Sequence, residues 1–241
     1  DQIVKICDRN FIGCDQLIFI EPDSSADANL RFFNSDGGES GACGNGTRCV
    51  ANLISNEKNN KSIILNTLSG KLKSEILEKK IVTTEIGKAK LKWDEIPLSK
   101  EIDTKNLNIK IIDKNNNEYS GGTAINVGNP HIVFFVKRIE DFNIEKIGPE
   151  IENHEIFPEK CNVTIAQIFN KNLIKVKVWE RGAGLTKACG TAACATAYAG
   201  KLNNLTENKT DIEFATGKLS ISIDENDSIH MKGPVSNIKG I

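Results

Sequence analysis

The sequence lacks long hydrophobic segments and has no excess of one charge sign. Its longest apolar runs, such as residues 132–136, are far too short to span a bilayer. Lysine and arginine together number 31 against 32 aspartates and glutamates, which leaves a net charge of −1 at pH 7. This balance argues against general electrostatic binding to nucleic acid or to an anionic membrane. No basic and then apolar leader follows Asp1, so the sequence predicts no secretion signal.

Histidine is scarce, and the cysteines do not have metal-binding spacing. The chain contains three histidines and no Cys-x-x-Cys pair, so a zinc site is not expected and no metal is predicted. An odd number of cysteines in a chain of 241 residues does not indicate a secreted disulfide framework. The simpler interpretation is a protein of the reducing cytoplasm. The seven cysteines are Cys7, Cys14, Cys43, Cys49, Cys161, Cys189 and Cys194.

Arginine is also rare, with five residues against 26 lysines. Arg9, Arg48 and Arg181 lie beside glycine- or cysteine-rich stretches. A chain that otherwise uses lysine can be expected to keep arginine where a planar, two-pronged donor is required. Arg31 and Arg138 are interpreted as surface cations.

The pattern of apolar residues predicts many short strands and few helices. Hydrophobic residues make up 39% of the chain, enough for a packed core in one domain or two. Turn residues separate the β-branched runs, as in a largely antiparallel α+β fold. The predicted strands are residues 17–20, 62–66, 81–85, 109–112, 132–136, 173–178, 212–215 and 219–223. The predicted helices are residues 45–56 and 191–201, with a third candidate at 139–147.

Two segments share a local pattern that indicates a weak internal repeat. Ala42-Cys43-Gly44 and Ala188-Cys189-Gly190 are each followed by small or polar residues, a second cysteine and a predicted helix. The repeat predicts two similar domains, residues 1–117 and 118–231, that meet near a polar stretch at 113–120. A cleft between them would bring the two Cys-Gly turns face to face. The alternative is a coincidence of two buried cysteines.

A cysteine at a helix N-terminus is placed for acid–base chemistry. Unpaired N–H groups and the positive end of the helix dipole stabilise a thiolate. The following glycine lets a ligand approach, and the same N–H groups can hold a carboxylate. Two such turns would bracket one small acid, so that a thiolate removes the proton beside its carboxylate and a thiol delivers one to the opposite face. Cys43 and Cys189 are the predicted catalytic pair.

The other cysteines have a structural interpretation. Cys49 and Cys194 lie inside the predicted helices and are expected in the core, where free cysteines are often found. Cys7, Cys14 and Cys161 have no comparable turn and are also interpreted as structural. A disulfide between Cys43 and Cys189 would be an oxidised, inactive form.

Four segments in order carry a resemblance to a known family. They read Phe-Phe-Asn-Ser-Asp-Gly-Gly-Glu at 32–39 leading into Cys-Gly-Asn-Gly-Thr-Arg-Cys at 43–49, then Gly-Asn-Pro-His at 128–131, Phe-Pro-Glu-Lys-Cys-Asn-Val at 157–163 and Trp-Glu-Arg-Gly-Ala-Gly-Leu-Thr-Lys-Ala-Cys-Gly-Thr at 179–191. Together they resemble diaminopimelate epimerase, a cofactor-independent enzyme of lysine and peptidoglycan-precursor synthesis. The resemblance spans nearly the whole chain.

The resemblance implies a role for each matching residue, with diaminopimelate as the small-molecule substrate and no cofactor. Cys43 and Cys189 would be the two bases. The distal end of the substrate would be bound by Asn34, Asn129, Asn162 and Arg181. The reacting carboxylate would be held by Gly44, Asn45, Gly190 and Thr191. Gln16 matches a substrate-site glutamine, while Glu180 and the supporting residue His131 would bind the reacting amino group and help set the cysteine protonation states.

Each of these polar residues also has a structural interpretation. The asparagines are compatible with ordinary turns, His131 with a core histidine, and Glu180 with a solvated partner of Arg181. Only the ordered motifs favour the functional interpretation.

The fold implied by the resemblance is two pseudo-symmetric halves, each a mostly antiparallel, barrel-like sheet around a central helix, with the active site in the cleft. A closing strand at 232–241 would return to the first half. A cytoplasmic homodimer is also implied. The sequence departs from the family pattern at three places. No Gly-Asn-Asp-Phe strand precedes Asp1, and the stretch at 9–16 is one glycine short, which could displace Gln16. Ala192 replaces a glycine, and its methyl group would crowd the site if its φ were positive.

Three other functions remain open. A proline or hydroxyproline racemase of the same superfamily would use two cysteines but would lack the Arg181 segment. A truncated, weakly active or inactive paralogue would bind ligand without exchanging its α-hydrogen. A redox sensor built on the cysteine pair is the third.

Overall fold

The computed structural model describes residues 2–41 and 43–236, which form two compact units. Unit 1 comprises the described residues up to 86 together with 232–236, and unit 2 comprises Gly87–Met231. The elements of unit 1 are α1 (Gln2–Cys7), β1 (Gln16–Glu21), β2 (Ala28–Asn34), β3 (Glu39–Ser40), α2 (Gly44–Lys58), β4 (Ser62–Thr67), β5 (Gly70–Ile76) and all but the last two residues of β6 (Ile81–Lys88). No helix within the described ranges is long and apolar enough to cross a membrane.

The chain continues through ten strands and two helices. These are β7 (Ile109–Ile112), β8 (Glu118–Gly121), β9 (Thr123–Asn126), β10 (Pro130–Val136), α3 (Ile144–Glu152), β11 (Asn162–Asn170), β12 (Leu173–Glu180), β13 (Gly184–Thr186), α4 (Gly190–Leu202), β14 (Lys209–Phe214), β15 (Gly217–Ile223) and β16 (Ser228–Pro234). Short 3₁₀ turns lie at Glu78–Lys80 and Ile139–Asp141.

Unit 1 is a sheet with α2 packed on one face. Strands β1, β2, β4, β5 and β6 are neighbours in that order, and only the β2–β4 pair is parallel. Alternating side chains of β2 and β4 point inwards, as expected of a half-buried sheet. They meet Val50, Ala51 and Ile54, which share one face of α2.

Unit 2 has the same arrangement on a larger scale. Its strands follow the order β9, β10, β11, β12, β14, β15, and α4 contacts strands at both ends of that series. The sheet therefore bends around α4. This packing depends on small residues, because α4 is rich in alanine and is buried throughout 190–200.

The internal repeat appears as matching topology. In unit 1, β1 and β2 pair, β3 folds back on β2, α2 follows, and β4 returns parallel to β2 before pairing with β5. In unit 2, β11, β12, β13, α4, β14 and β15 repeat each of these pairings. The predicted α+β fold with two similar halves is confirmed.

The division of the chain differs from the predicted boundary at 117/118. Residues 87–117 lie with unit 2, because Lys90 bridges Asn126 and because Ile96, Leu107 and Ile111 enter the core of unit 2. The predicted closing strand at 232–241 corresponds to the end of β16. Residues 237–241 lie outside the described residues.

Candidate active site

Cys43 is the N-cap residue of α2. Its backbone is extended, with φ −142° and ψ 101°, and its Sγ accepts a hydrogen bond from the Gly46 N–H at 3.3 Å. Gly46 allows this close turn, since a Cβ there would lie 2.5 Å from Ile18 Cδ1 and 3.2 Å from the Cys43 sulfur. The sulfur thus lies at the positive end of a 15-residue helix, an environment that favours its charged form.

Arg48 holds the first turn of α2 from within. Its side chain is buried, with Nη2 donating to Asn45 Oδ1 at 2.8 Å and Nη1 donating to the Gly44 carbonyl at 3.3 Å. These are two of the residues expected to hold the reacting carboxylate. The sequence indicates Arg48 only by its position beside the cysteine-rich turn, whereas in the structure this side chain fixes the orientation of the Asn45 amide.

Gln16 and Asn34 are brought together on neighbouring strands. They are register partners of β1 and β2, and Gln16 Nε2 donates to Asn34 Oδ1 at 3.0 Å. The shortened stretch before Gln16 therefore does not remove it from the sheet. Among the described residues, the Asn34 amide nitrogen has no hydrogen-bond partner, so it is available as a donor.

Cys189 occupies the same position in unit 2, at the N-cap of α4. Its backbone is extended in the same way, with φ −139° and ψ 119°, but its side chain is buried. Burial and the nearby Glu180 carboxylate raise the pKa of the Cys189 thiol well above its usual value, against smaller opposing effects from the Thr191 hydroxyl and the Ala192 N–H. Cys189 is therefore a thiol at neutral pH.

Ala192 does not crowd this turn through its backbone. It lies in the first turn of α4 and is not among the residues with positive φ. A positive φ at this position would have strained the alanine, and Ala192 does not have one. Its side chain is buried in the core.

Asn129, His131, Asn162 and Arg181 form a network at the ends of β10, β11 and β12. His131 and Asn162 are register partners, and His131 Nε2 donates to Asn129 Oδ1 at 2.7 Å. Asn162 Nδ2 donates to the Pro130 carbonyl at 3.0 Å, while its Oδ1 accepts from the Arg181 N–H at 3.0 Å. Asn162 therefore joins the backbones of three segments, a role that a turn residue would not require.

Arg181 presents its guanidinium to solvent. Nη1 donates to the Glu159 carbonyl at 2.9 Å, which fixes the side chain from one side. Within the part of the chain that the structure describes, Nε and Nη2 have no partner. These two donors form the planar fork that matches a carboxylate.

His131 is a buried, neutral imidazole. Burial and the charge of Arg181 lower the pKa of His131 to about 3. Because the Asn129 carbonyl oxygen can only accept, Nε2 carries the proton. Nδ1 has no hydrogen-bond partner among the described residues. His131 therefore orients Asn129 as a neutral donor.

This burial predicts a specific loss of stability in acid. Below pH 6.5 the unfolded chain protonates His131 while the folded chain does not until about pH 3, so stability falls as the pH decreases through that window. Between pH 7 and pH 5 the free energy of unfolding should fall by about 2 kcal/mol on account of this group. Urea unfolding at both pH values measures this decrease. In His131→Gln, whose side chain can still donate to Asn129, the free energy of unfolding should not show the decrease that His131 causes.

The control is His230→Gln, which leaves His131 in place and should retain the decline. An identical decline in His131→Gln and the unaltered protein would contradict the assignment of a buried, neutral histidine.

The remaining cysteines correct one prediction. Cys194 is buried as expected. Cys7 and Cys161, which were interpreted as structural, are also buried, and the half-buried Cys14 thiol lies 3.4 Å from Cys7 Sγ. Cys49 was predicted in the core and is exposed, because α2 turns residues 47, 48, 50 and 51 inwards and directs position 49 away. No group of three or more potential metal ligands occurs within 2–41 and 43–236.

Comparisons with known proteins agree with one another. A family model described as diaminopimelate epimerase matches residues 1–92 and 123–238. The chain is 68% identical over its whole length to the diaminopimelate epimerase of Pelagibacter ubique (strain HTCC1062), of which it covers 88%, and 41% identical over 95% of its length to that of Sphingopyxis alaskensis, of which it covers 82%. Among solved structures, it resembles a hydroxyproline epimerase from Agrobacterium vitis with a TM-score of 0.66 at 13% identity, covering 91% of this chain and 71% of that one. At this identity, the likeness shows the fold alone.

Proposed function

The chain belongs to the diaminopimelate epimerase family and epimerises LL-diaminopimelate to the meso isomer, and we propose that Cys43 and Cys189 are the two bases of this reaction. The observation that carries the proposal is the repeat: each unit places one cysteine, in the same extended conformation, at the N-cap of its helix. Position by position, these are the cysteines that the family resemblance assigns to catalysis.

The environments of the two sulfurs suggest which one is the base at rest. Cys43 accepts an N–H hydrogen bond at the start of α2, which suits a thiolate. Cys189 is buried beside Glu180, which keeps its proton in place. In the forward step, the Cα–H bond breaks as the Cys43 thiolate takes the proton, and the electron pair delocalises into the carboxylate. A new Cα–H bond forms on the opposite face with the Cys189 proton, and the roles exchange in reverse.

The developing charge on the carboxylate requires donors that are already in place. The first N–H groups of a helix have no intrahelical partner. Those of Gly44 and Asn45 in α2, and of Gly190 and Thr191 in α4, are therefore suited to the reacting carboxylate. The half-buried Glu180 carboxylate is suited to the reacting ammonium group, and we assign His131 a supporting role through Asn129.

The distal amino-acid end would be held by the unused donors of the asparagine–arginine set. The Asn129 amide nitrogen, like that of Asn34, has no partner among the described residues. Together with the Arg181 fork they would bind the distal carboxylate. Asn162 would act mainly by holding the backbone of Arg181.

An isotope experiment tests the reaction. LL-Diaminopimelate incubated with the reduced protein in deuterium oxide should yield the meso isomer with deuterium at the inverted α-carbon. Chiral separation and mass spectrometry measure both the isomer and its deuterium content. Absence of both meso isomer and deuterium would contradict the activity and favour an inactive paralogue. Turnover of proline or hydroxyproline in its place would favour the racemase alternative.

We also propose that the protein acts as a homodimer in the cytoplasm, in lysine and peptidoglycan-precursor synthesis. This rests on the family resemblance, and the free cysteines of the described residues suit a reducing compartment. Light scattering should give twice the chain mass of 26.4 kDa. A monomer mass at working concentration would contradict the dimer.

A further inference from the structure

Glu152, the last residue of α3, is a buried carboxylate with two specific partners. Its Oε2 accepts from the Trp179 indole Nε1–H at 2.7 Å, and its Oε1 accepts from the Gly182 backbone N–H at 3.0 Å. The nearest cation, Lys160 Nζ, lies 4.0 Å from Oε1, and only 8% of the Glu152 side chain is exposed. Burying a carboxylate costs desolvation free energy, and the two hydrogen bonds offset this cost. Both donors belong to one short segment of the chain.

That segment carries two residues of the proposed active site. Glu180 and Arg181 lie between Trp179 and Gly182, so Glu152 binds the chain immediately before and immediately after them. The segment is a tight turn, in which the Ala183 N–H donates to the Glu180 carbonyl at 3.0 Å and Gly182 has φ +74°.

Helix α3 also holds the tryptophan by shape. A Cβ on Gly148 would lie 2.3 Å from Trp179 Cγ, so the ring lies directly on the helix backbone one turn before Glu152. Packing places the indole, and the Glu152 carboxylate fixes its N–H. The turn at 180–182 is thus attached to α3 at two points.

We propose that Glu152 is a positioning residue of this epimerase, which fixes the turn so that the Glu180 carboxylate lies beside Cys189 and the Arg181 fork faces the distal carboxylate of the substrate. The inference rests on the roles proposed for Glu180 and Arg181. A carboxylate is required because two N–H groups must be accepted at once. A glutamine of the same size accepts one and presents its own N–H₂ to the other.

The test compares Glu152→Gln with Glu150→Gln, an exposed glutamate on the same helix. Leaving one partly buried N–H without its acceptor, and so releasing the turn from α3, should lower kcat/KM by about 10- to 100-fold in Glu152→Gln, with less than a twofold change in Glu150→Gln. Trp179→Phe keeps an aromatic ring against Gly148 but removes the indole N–H and the outer ring that lies near Gly184, so we expect an intermediate loss. If Glu152→Gln does not fold, Trp179→Phe decides the test by the same criterion.

Two readouts distinguish positioning from loss of fold. A displaced Glu180 no longer raises the pKa of Cys189, so the alkaline limb of the kcat/KM profile should move to lower pH in Glu152→Gln. In protein labelled with ¹⁵N-tryptophan, the chain's two indole signals are resolvable, and that of Trp179 should shift in Glu152→Gln and stay in Glu150→Gln.

Activity within twofold of the unaltered protein, with an unmoved pH profile and indole signal, would overturn the proposal. The indole readout does not depend on turnover. If the unaltered protein is inactive and the Trp179 indole signal still shifts in Glu152→Gln, the proposed function is refuted. The hydrogen bond between Glu152 and Trp179 is confirmed in that case.

Discussion

Cys43→Ala and Cys189→Ala should each lose net epimerisation by about 1,000-fold or more, since a general acid or base typically contributes 10²- to 10⁴-fold and inversion requires both. Both variants should fold. Cys43 is partly exposed at a helix end, and replacing Cys189 removes one sulfur from a buried site beside small residues. Initial rates of meso formation under reductant measure the effect. Cys49→Ala is the matched control, because Cys49 lies on α2 six residues after Cys43 and is exposed.

The remaining activity of each variant is equally informative. With one base left, a proton can be removed and returned only on the same face. Each variant should therefore exchange the α-hydrogen of one stereoisomer with deuterium, slowly and without inversion, and the two variants should differ in which isomer they label. If either variant retains a tenth of the normal rate of inversion, the two-base mechanism is wrong.

The elements that carry the cysteines could be predicted from local physics. Cysteine followed by glycine and then by helix-forming residues reads as an N-cap, and α2 and α4 begin within one residue of the predicted positions. The eight predicted strands all occur, because each is a β-branched run. The strands that were missed are β2, β3, β5, β8, β9, β11, β13 and the start of β16. β5 has the sequence Gly-Lys-Leu-Lys-Ser-Glu-Ile, in which lysines and a glutamate face solvent, and it forms only because β4 and β6 pair with it.

The part of the site that could not be predicted depends on contacts distant in sequence. Glu152 and the residues that it binds are 27 and 30 positions apart, and nothing in the sequence near Glu152 marks it from its acidic neighbours. The domain boundary had the same difficulty, because residues 87–117 contain few regular elements and are assigned by where Ile96 and Leu107 are buried. The prediction for Cys49 was wrong for a local reason, because a residue inside a helix is buried only when its position falls on the buried face, and position 49 of α2 does not.

Arg181 is the residue whose replacement should most affect substrate binding. Its guanidinium is held by the Glu159 carbonyl at Nη1, and its backbone N–H by Asn162, so Nε and Nη2 are already oriented. Such a fork binds a carboxylate through two charge-assisted bonds. Arg181→Lys keeps the charge and loses the second bond, which is worth about 1.5–3 kcal/mol. KM for diaminopimelate should therefore rise about 10- to 100-fold, with a smaller change in kcat.

The distal carboxylate can be removed from the substrate as well as from the site. Lysine is diaminopimelate without that carboxyl group, so the unaltered enzyme should exchange its α-hydrogen with much lower kcat/KM. If Arg181 recognises the missing carboxylate, Arg181→Lys should lower kcat/KM for diaminopimelate and leave kcat/KM for lysine nearly unchanged. The preference of the enzyme for diaminopimelate over lysine should therefore become smaller. Arg138 is an exposed arginine that pairs with Asp141, and Arg138→Lys should preserve the preference. An equal loss of kcat/KM on both substrates would mean that Arg181 acts on the reacting end of the substrate. Arg181 would then act together with Glu180 beside Cys189.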